Sequence, residues 1–267
     1  MSIDIHYKGR LGNNLFQYGI ALIIAEETGI GLAPYQGRNR DLFKNCMSHI
    51  PENRVRDMSY FIPVVNIRQD FDFNEIVSIS SHIDKIHLDG FFQVADYYEC
   101  YRNRLKHWYH IPETDWTPDE EDIVFHIRRS DFAPNDSILP FSWYEKVLEV
   151  DNYKKVYLCG HPVDLDDEVR GFFKKYNAEC IGTENELSAI QKIKRFTKVV
   201  QSTSSFCWWA VYLSDKAIKI YTPIPSKGFW SPSRTEQRLI INRPEYINFK
   251  QEEGKWQLQS KVATPGV

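Results

Sequence analysis

Positive charge is not in excess in this chain: 33 Lys and Arg stand against 36 Asp and Glu, a formal net charge of −3. No global counterion release is available, so nucleic acid is not expected as a partner. Long apolar runs are missing as well. The longest early stretch, Ile20 to Ala25, is far too short to span a bilayer, and the first residues have no uninterrupted apolar core of the kind that marks a secretory signal. Cysteine is sparse: Cys46, Cys100, Cys159, Cys180 and Cys207 are scattered, odd in number and without the paired spacing of a metal site. Three of them, Cys159, Cys180 and Cys207, lie in or beside apolar runs, as free core cysteines do, which favours a reducing compartment. The expectation is a cytoplasmic protein; peripheral association with the inner face of the membrane is compatible with this, since it needs only a local patch. No H-E-x-x-H helix and no Cys/His cluster occurs, so no metal is expected. Internal repeats and low-complexity tracts are also absent.

What is present is an ordinary globular composition, 42% hydrophobic and 14% aromatic over 267 residues, enough for one large α/β domain or two smaller ones. Residues 2 to 7, "SIDIHY", alternate as a strand; "KGRLGNN" turns; and "LFQYGIALIIAEETG" is apolar over several helical turns, with Gly29 placed to end it. Asn13 or Asn14 has the chemistry to cap that helix. Residues 34 to 82 mix short apolar pieces with Asn, Arg, Pro and Asp and give no clear period. "KIHLDGFFQ" reads as a strand broken at Asp89-Gly90, and "VADYYECYRNRLKHWYHI" has helical spacing. The acidic, aperiodic "PETDWTPDEED" is the best linker candidate.

Beyond that linker a β-α pattern repeats with short connections: a strand at 123 to 127, a helix at 143 to 149 with Ser142 and Glu145 at capping-box spacing, and a strand at 155 to 160. A helix near 164 to 175, a short apolar piece at 178 to 181, a helix over 186 to 195, the strand "KVVQ", a helix from Ser204 or Ser205, and a last strand "AIKIY" complete it. This is the pattern of a doubly wound parallel sheet. The tail "SKVATPGV" is expected to be loose.

Three polar stretches follow strands. "VFHIRRSDF" puts Arg128, Arg129 and Asp131 at the carboxyl end of what reads as a central strand, the rim where open α/β sheets bind ligands. Two guanidiniums there suit an anion with several oxygens, with Asp131 orienting one of them; a surface ion-pair cluster is the alternative. "STSSFCWWAVYLS" places four hydroxyl residues before a run apolar on nearly every face, so the N–H groups of a buried helix end need partners; Ser204 or Ser205 can cap it, and the remaining donors suit a phosphate. "GRLGNN" is a glycine loop without the G-x-G start of a dinucleotide fingerprint, in which Asn13 supplies a neutral donor. His126 reads as a core histidine or a site residue, and His161 as a nucleotide contact or a loop residue. "VDLDDE", 163 to 168, reads as a solvated helix start.

These motifs, in order, resemble the α-1,2-fucosyltransferases, inverting enzymes that move L-fucose from GDP-fucose to a sugar hydroxyl. "GRLGNNLFQYGIALIIA" is similar to that family's G-x-[LM]-G-N-x-x-F-x-Y opening, "LDGFFQVADYY" to its G-[YF]-[FW]-Q landmark, and "HIRRSDF" to its H-x-R-R-x-D-[YF]. "STSSFCWWAVYL" resembles its S-x-S-[ST]-F-x-W-W-x-x-[YW]-L, and "PIPSKGFW" its proline and tryptophan ending. The matches run from residue 9 to residue 230. The resemblance implies an α/β fold of GT-B type, two Rossmann-like domains facing each other across a cleft. Its parts would be an acceptor-side domain at 1–115, a donor domain at 120–235 and a C-terminal extension at 236–267.

It also implies roles. Arg128 and Arg129 would neutralise the GDP pyrophosphate as the sugar departs, with Asp131 orienting them and His126 on the donor side; Gly12 and Asn13 would lie near the pyrophosphate and fucose; Ser204 and Ser205 would contact phosphate. Where relatives often carry Ser-Asp-Asp, this chain has "CGHPVD", leaving His161 for a guanine or ribose contact. The histidine signature that often follows the arginines is absent from "APNDSILPFSWYEK", so the resemblance does not name the glycan acceptor. No cofactor is implied beyond GDP-L-fucose as donor substrate, and oligomeric state is not addressed. Two other readings stay open: a transferase using another GDP-sugar such as GDP-mannose, and a non-catalytic nucleotide-sugar-binding or scaffold protein of a glycan-assembly complex. The proton of the acceptor hydroxyl would go to Asp89, to a base in the 34 to 82 stretch, or late to the phosphate side or water with no dedicated base; Asp89 is otherwise only the turn residue before Gly90. Aromatic residues of "LDGFFQVADYY" and of the 34 to 82 stretch suit either sugar stacking or core packing.

Overall fold

The computed structural model describes residues 2–32, 64–67, 71–79, 82, 85–109, 111–132, 137–181, 185–234 and 237–259. Most of the 34 to 82 stretch, with its proposed base and sugar-stacking aromatics, and the tail from 260 lie outside these residues. The chain divides into two compact units, Met1–His110 and Ile111–Val267.

In the first unit, strand β1 (Ser2–Ile5) leads into helix α1 (Leu11–Thr28), and β2 (Gly31–Leu32), β3 (Val64–Ile67), α2 (Phe73–Ile79), β4 (Lys85–Leu88), α3 (Asp96–Glu99) and α4 (Arg102–Trp108) follow. The strands form a parallel sheet in the order β2-β1-β4-β3. β1 and β4 are the two central strands and run parallel, so the loops leaving them lie side by side at the carboxyl edge of the sheet. Helix α1 is buried along nearly its whole length, from Leu11 to Ala25, and ends at Gly29 in the left-handed conformation, whose N–H bonds the Ala25 carbonyl.

Two local expectations fail here for identifiable reasons. Gly9, at φ +78°, turns the chain so sharply that Arg10 becomes the extended N-cap residue of α1. The Arg10 carbonyl accepts the N–H groups of Asn13 and Asn14, both at 3.0 Å, so neither asparagine caps the helix; both lie in its first turn. The long helical period after residue 94 resolves into α3 and α4, separated by Tyr101 at φ −104°, ψ 6°.

The second unit contains β5 (Ile123–His126), α5 (Phe141–Val150), β6 (Val156–Cys159), a 3-10 turn (Pro162–Asp164), α6 (Asp167–Lys174), β7 (Glu179–Cys180), α7 (Glu186–Ile193), β8 (Lys198–Val200), α8 (Ser205–Tyr212), β9 (Lys219–Ile224), β10 (Tyr246–Glu252) and β11 (Lys255–Leu258). Its sheet runs β7-β6-β5-β8-β9-β10-β11, parallel except for the β10-β11 pair. The first six strands have the order of a Rossmann sheet, 3-2-1-4-5-6, with its switch point between β5 and β8. β9 is therefore not the last strand: the region from 236 adds two more to the same sheet. Every residue of β5 is buried, as expected for a central parallel strand covered on both faces.

On one side α5 and α6 pack Trp143, Tyr144, Val147 and Phe173 against Phe125 and Leu158. Helix α8 is buried from Cys207 to Tyr212; the Trp208 and Tyr212 rings stack at 4.4 Å, and the Trp208 indole donates to the Leu239 carbonyl. Ser142 does not cap α5. Pro140 takes the N-cap position and its carbonyl accepts the Trp143 N–H, which leaves Ser142 inside the first turn.

Candidate functional site

The switch point of the second unit is lined by the loop after β5 and the loop after β8. His126, the last residue of β5, and Ser202, just beyond β8, bridge it directly, with Nδ1 and Oγ 2.7 Å apart. His126 is buried and tilted against the Phe206 ring. Burial, reinforced by the Arg128 charge, pushes its pKa down to about 3, so the imidazole is neutral at physiological pH. It holds two loops together and carries no charge to offer a ligand.

Beyond Ile127 the chain leaves the ladder and the two arginines diverge. Arg128 forms a two-point pair with Asp131, Nε to Oδ1 at 2.7 Å and Nη2 to Oδ2 at 2.6 Å, and lies over the Phe132 ring. Arg129 lies over the Phe141 ring, pairs with Glu168 in the first turn of α6, and has Asp166 3.6 Å from its Nε. Both arginine side chains are largely buried, 15% and 16% exposed. The loop thus presents two fixed cations at the carboxyl end of a central strand, each held by a carboxylate and backed by an aromatic face.

Asp164, in a stretch that reads from sequence as a solvated helix start, is instead fully buried. Its Oδ1 accepts the N–H groups of Arg129 at 2.9 Å and Ser130 at 2.6 Å. No local pattern separates it from its acidic neighbours, because its role depends on the loop of another strand. Asp164 and Asp166 stand two apart, yet their carboxylates go to backbone N–H groups and to Arg129; among the described residues no three metal-ligating side chains converge.

The remaining expected residues fall as follows. Ser204 is the N-cap residue of α8 in an extended conformation, but its side chain makes no capping bond; its carbonyl accepts the Trp208 N–H, and Ser205 opens the helix. His161 caps the 3-10 turn, its Nδ1 accepting the Val163 N–H at 3.3 Å, and its ring is exposed.

In the first unit, Gly12 is buried in the first turn of α1 and Asn13 Oδ1 accepts from the Gln93 amide at 2.8 Å, tying the glycine loop to the "GFFQ" loop beyond the ends of β1 and β4. Gln17, fully buried, completes the tie. Its amide donates to the carbonyls of Gly90 and His6, while its oxygen accepts from the Lys8 N–H and the Asn14 amide. Next to Gln93, Phe92 has φ +53°, a strained conformation for an aromatic residue, and its carbonyl lies 2.8 Å from the Tyr98 hydroxyl. Asp89 follows β4, with Oδ1 2.5 Å from Lys8 Nζ and 3.1 Å from His6 Nδ1. The hydrogen bond from Lys8 holds its carboxyl below the usual range. No helix among the described residues is long and apolar enough to cross a membrane.

No family model matches this chain, and no curated protein does. Solved structures do. A mutant of Arabidopsis thaliana FUT1 in complex with GDP is similar over 95% of this chain and 72% of its own, with a TM-score of 0.50 and 11% identity. POFUT1 in complex with GDP aligns over 81% of this chain and 94% of its own, with a TM-score of 0.41 and 10% identity. At such identity the likeness is one of fold: the chain is α/β, of the GT-B type with parallel sheets.

Proposed function

We propose that this chain is a glycosyltransferase that uses GDP-fucose as donor and a glycan hydroxyl, galactose O-2 in the reading favoured by its motifs, as acceptor. One observation carries the reading: two arginines fixed by carboxylates stand at the switch point of a 3-2-1-4-5-6 sheet. The fold is similar to that of FUT1 solved with GDP. In this reading the acceptor oxygen attacks the anomeric carbon, the bond to the β-phosphate oxygen breaks with its electron pair going to the phosphate, and the acceptor proton passes late to the departing phosphate or to water, inverting the configuration. Arg128 and Arg129 meet that developing charge, and cations placed for it accelerate the step more than they tighten the ground state. They supply the counter-charge a divalent metal would otherwise bring, so transfer is expected to survive chelation. His126 is not the base: its ring is neutral, but it is buried and engaged with Ser202.

The test is calorimetric titration of the purified chain with GDP, followed by GDP release from GDP-fucose, GDP-mannose and other GDP-sugars across a panel of glycan acceptors. Turnover of GDP-fucose with one acceptor supports the proposal, and product linkage then checks the O-2 position. Exclusive use of another donor replaces it with a different transferase, and tight GDP binding without turnover replaces it with a nucleotide-sugar-binding protein. Failure to bind GDP at all overturns the site.

A further inference from the structure

Asp164 is a fully buried acid of the second unit that this chemistry leaves without a task. It ends the 3-10 turn after β6, and the residues it holds follow β5, the neighbouring parallel strand. At Arg129 and Ser130 the chain has left the ladder, so their N–H groups have no strand partner; a single carboxylate oxygen takes both. The other oxygen, Oδ2, is shielded from solvent, and the Ser130 hydroxyl adds to the stabilisation of the charged carboxylate. Burial works against ionisation here, but the N–H groups of Ser130 and Arg129, with the Arg128 charge, bring the carboxyl below its usual range. A buried anion taken out of water to hold two backbone N–H groups is an expensive way to pin a loop if packing were all that mattered.

We propose that Asp164 is the positioning residue for the two arginines, locking the backbone of Arg129 and Ser130 so that both guanidiniums face the switch point. It acts through the backbone of the loop and, being fully buried, does not itself meet the ligand. Asp131 then sets the Arg128 side chain on a loop already fixed, while Glu168 occupies that of Arg129 in the free protein. The inference rests on the nucleotide reading for its consequence, while the lock itself is a property of the free protein.

The experiment compares the wild-type chain with Asp164→Asn and Asp164→Ala, each first checked for folding by circular dichroism, in two measurements. The first is amide exchange at Arg129 and Ser130 by NMR; the second is GDP affinity. Asparagine keeps an acceptor oxygen at the same reach, whereas alanine removes it. Exchange at both amides is expected to quicken about tenfold or more in the alanine variant and to stay near wild type in the asparagine variant. GDP affinity is expected to fall about tenfold or more in the alanine variant and only about threefold in the asparagine variant, because a displaced loop misplaces both cations.

Alanine exchange rates equal to wild type, or a folded alanine variant that binds GDP as wild type does, would overturn the lock. If asparagine behaves like alanine, geometry is not what Asp164 supplies and the proposal also falls. Should the wild type not bind GDP, the nucleotide reading fails, and the exchange measurement alone decides the role of Asp164. Should Asp164→Ala not fold, Asp164→Ser, which withdraws the acceptor by one bond, takes its place in both comparisons.

Discussion

The guanidinium of Arg129 donates to the carboxylate of Glu168, an exposed residue in the first turn of α6. A diphosphate reaching Arg129 must share or displace that carboxylate. Its own charge also meets Asp131, Asp166 and Glu168, which surround the two arginines. Glu168→Gln is therefore expected to tighten GDP binding, by about threefold to tenfold, and the gain should shrink as salt is raised. Calorimetry at two ionic strengths reads both effects. Weaker GDP binding in the variant would mean that Glu168 orients Arg129 rather than competing for it.

Arg128→Ala and Arg129→Ala are each expected to reduce kcat/KM on the order of a hundredfold or more, about 3 kcal/mol of transition-state stabilisation. Arg128→Lys should recover little of this, because an ammonium cannot reproduce the two-point pair that Asp131 makes with the guanidinium. Steady-state kinetics with GDP-fucose decide the matter. Near-normal kcat/KM in both alanine variants would remove the arginines from the chemistry.

Much of the second unit is legible in the sequence because its elements are set locally. Ile123 to Ile127 is apolar apart from His126 and is bounded by turns, so β5 can be read without its partners, and with it the arginines that follow. Asn185 before α7 and Gly29 after α1 are local end signals that the structure uses, the first by accepting the Ser188 N–H. The misplaced caps share one cause: a residue outside the apparent motif took the position first. Gly9 forces Arg10 into the N-cap of α1, and Pro140 begins α5 before Ser142. Strands β10 and β11 are not legible in the sequence because their pairing with β9 and with each other is non-local. Asp164 and Gln17 are invisible for the same reason, since the groups they satisfy lie on neighbouring loops and strands.

His126 makes the stability of the protein depend on pH. Its folded pKa, about 3, lies below the ordinary histidine value of 6.5, so the unfolded chain takes up a proton between these limits that the folded one refuses. The contribution is full above pH 6.5 and is lost as pH falls towards 3, at up to about 1.4 kcal/mol per pH unit. Urea unfolding between pH 7 and pH 5 should show this loss in the wild type, and His126→Gln should lack it. Equal pH dependence in the two proteins would mean that His126 is not buried as a neutral ring.

Asp89 is the acid nearest the "GFFQ" loop, and its surroundings argue against a base. A general base works best with a pKa near the operating pH, which for a carboxylate calls for burial or a neighbouring negative charge. Asp89 has the opposite: it is exposed, and Lys8 and His6 stabilise its charged form, Lys8 by a contact of 2.5 Å. Its backbone N–H meanwhile bonds the Ile67 carbonyl, carrying the pairing with β3 one residue past β4 just before Gly90, a structural role at the strand end. Asp89→Asn is therefore expected to keep kcat within about threefold of wild type, with GDP affinity unchanged. Because asparagine keeps the shape of the turn while losing the charge, the variant separates the two roles. A drop in kcat on the order of a hundredfold, with GDP affinity and fold intact, would instead make Asp89 the group that takes the acceptor proton.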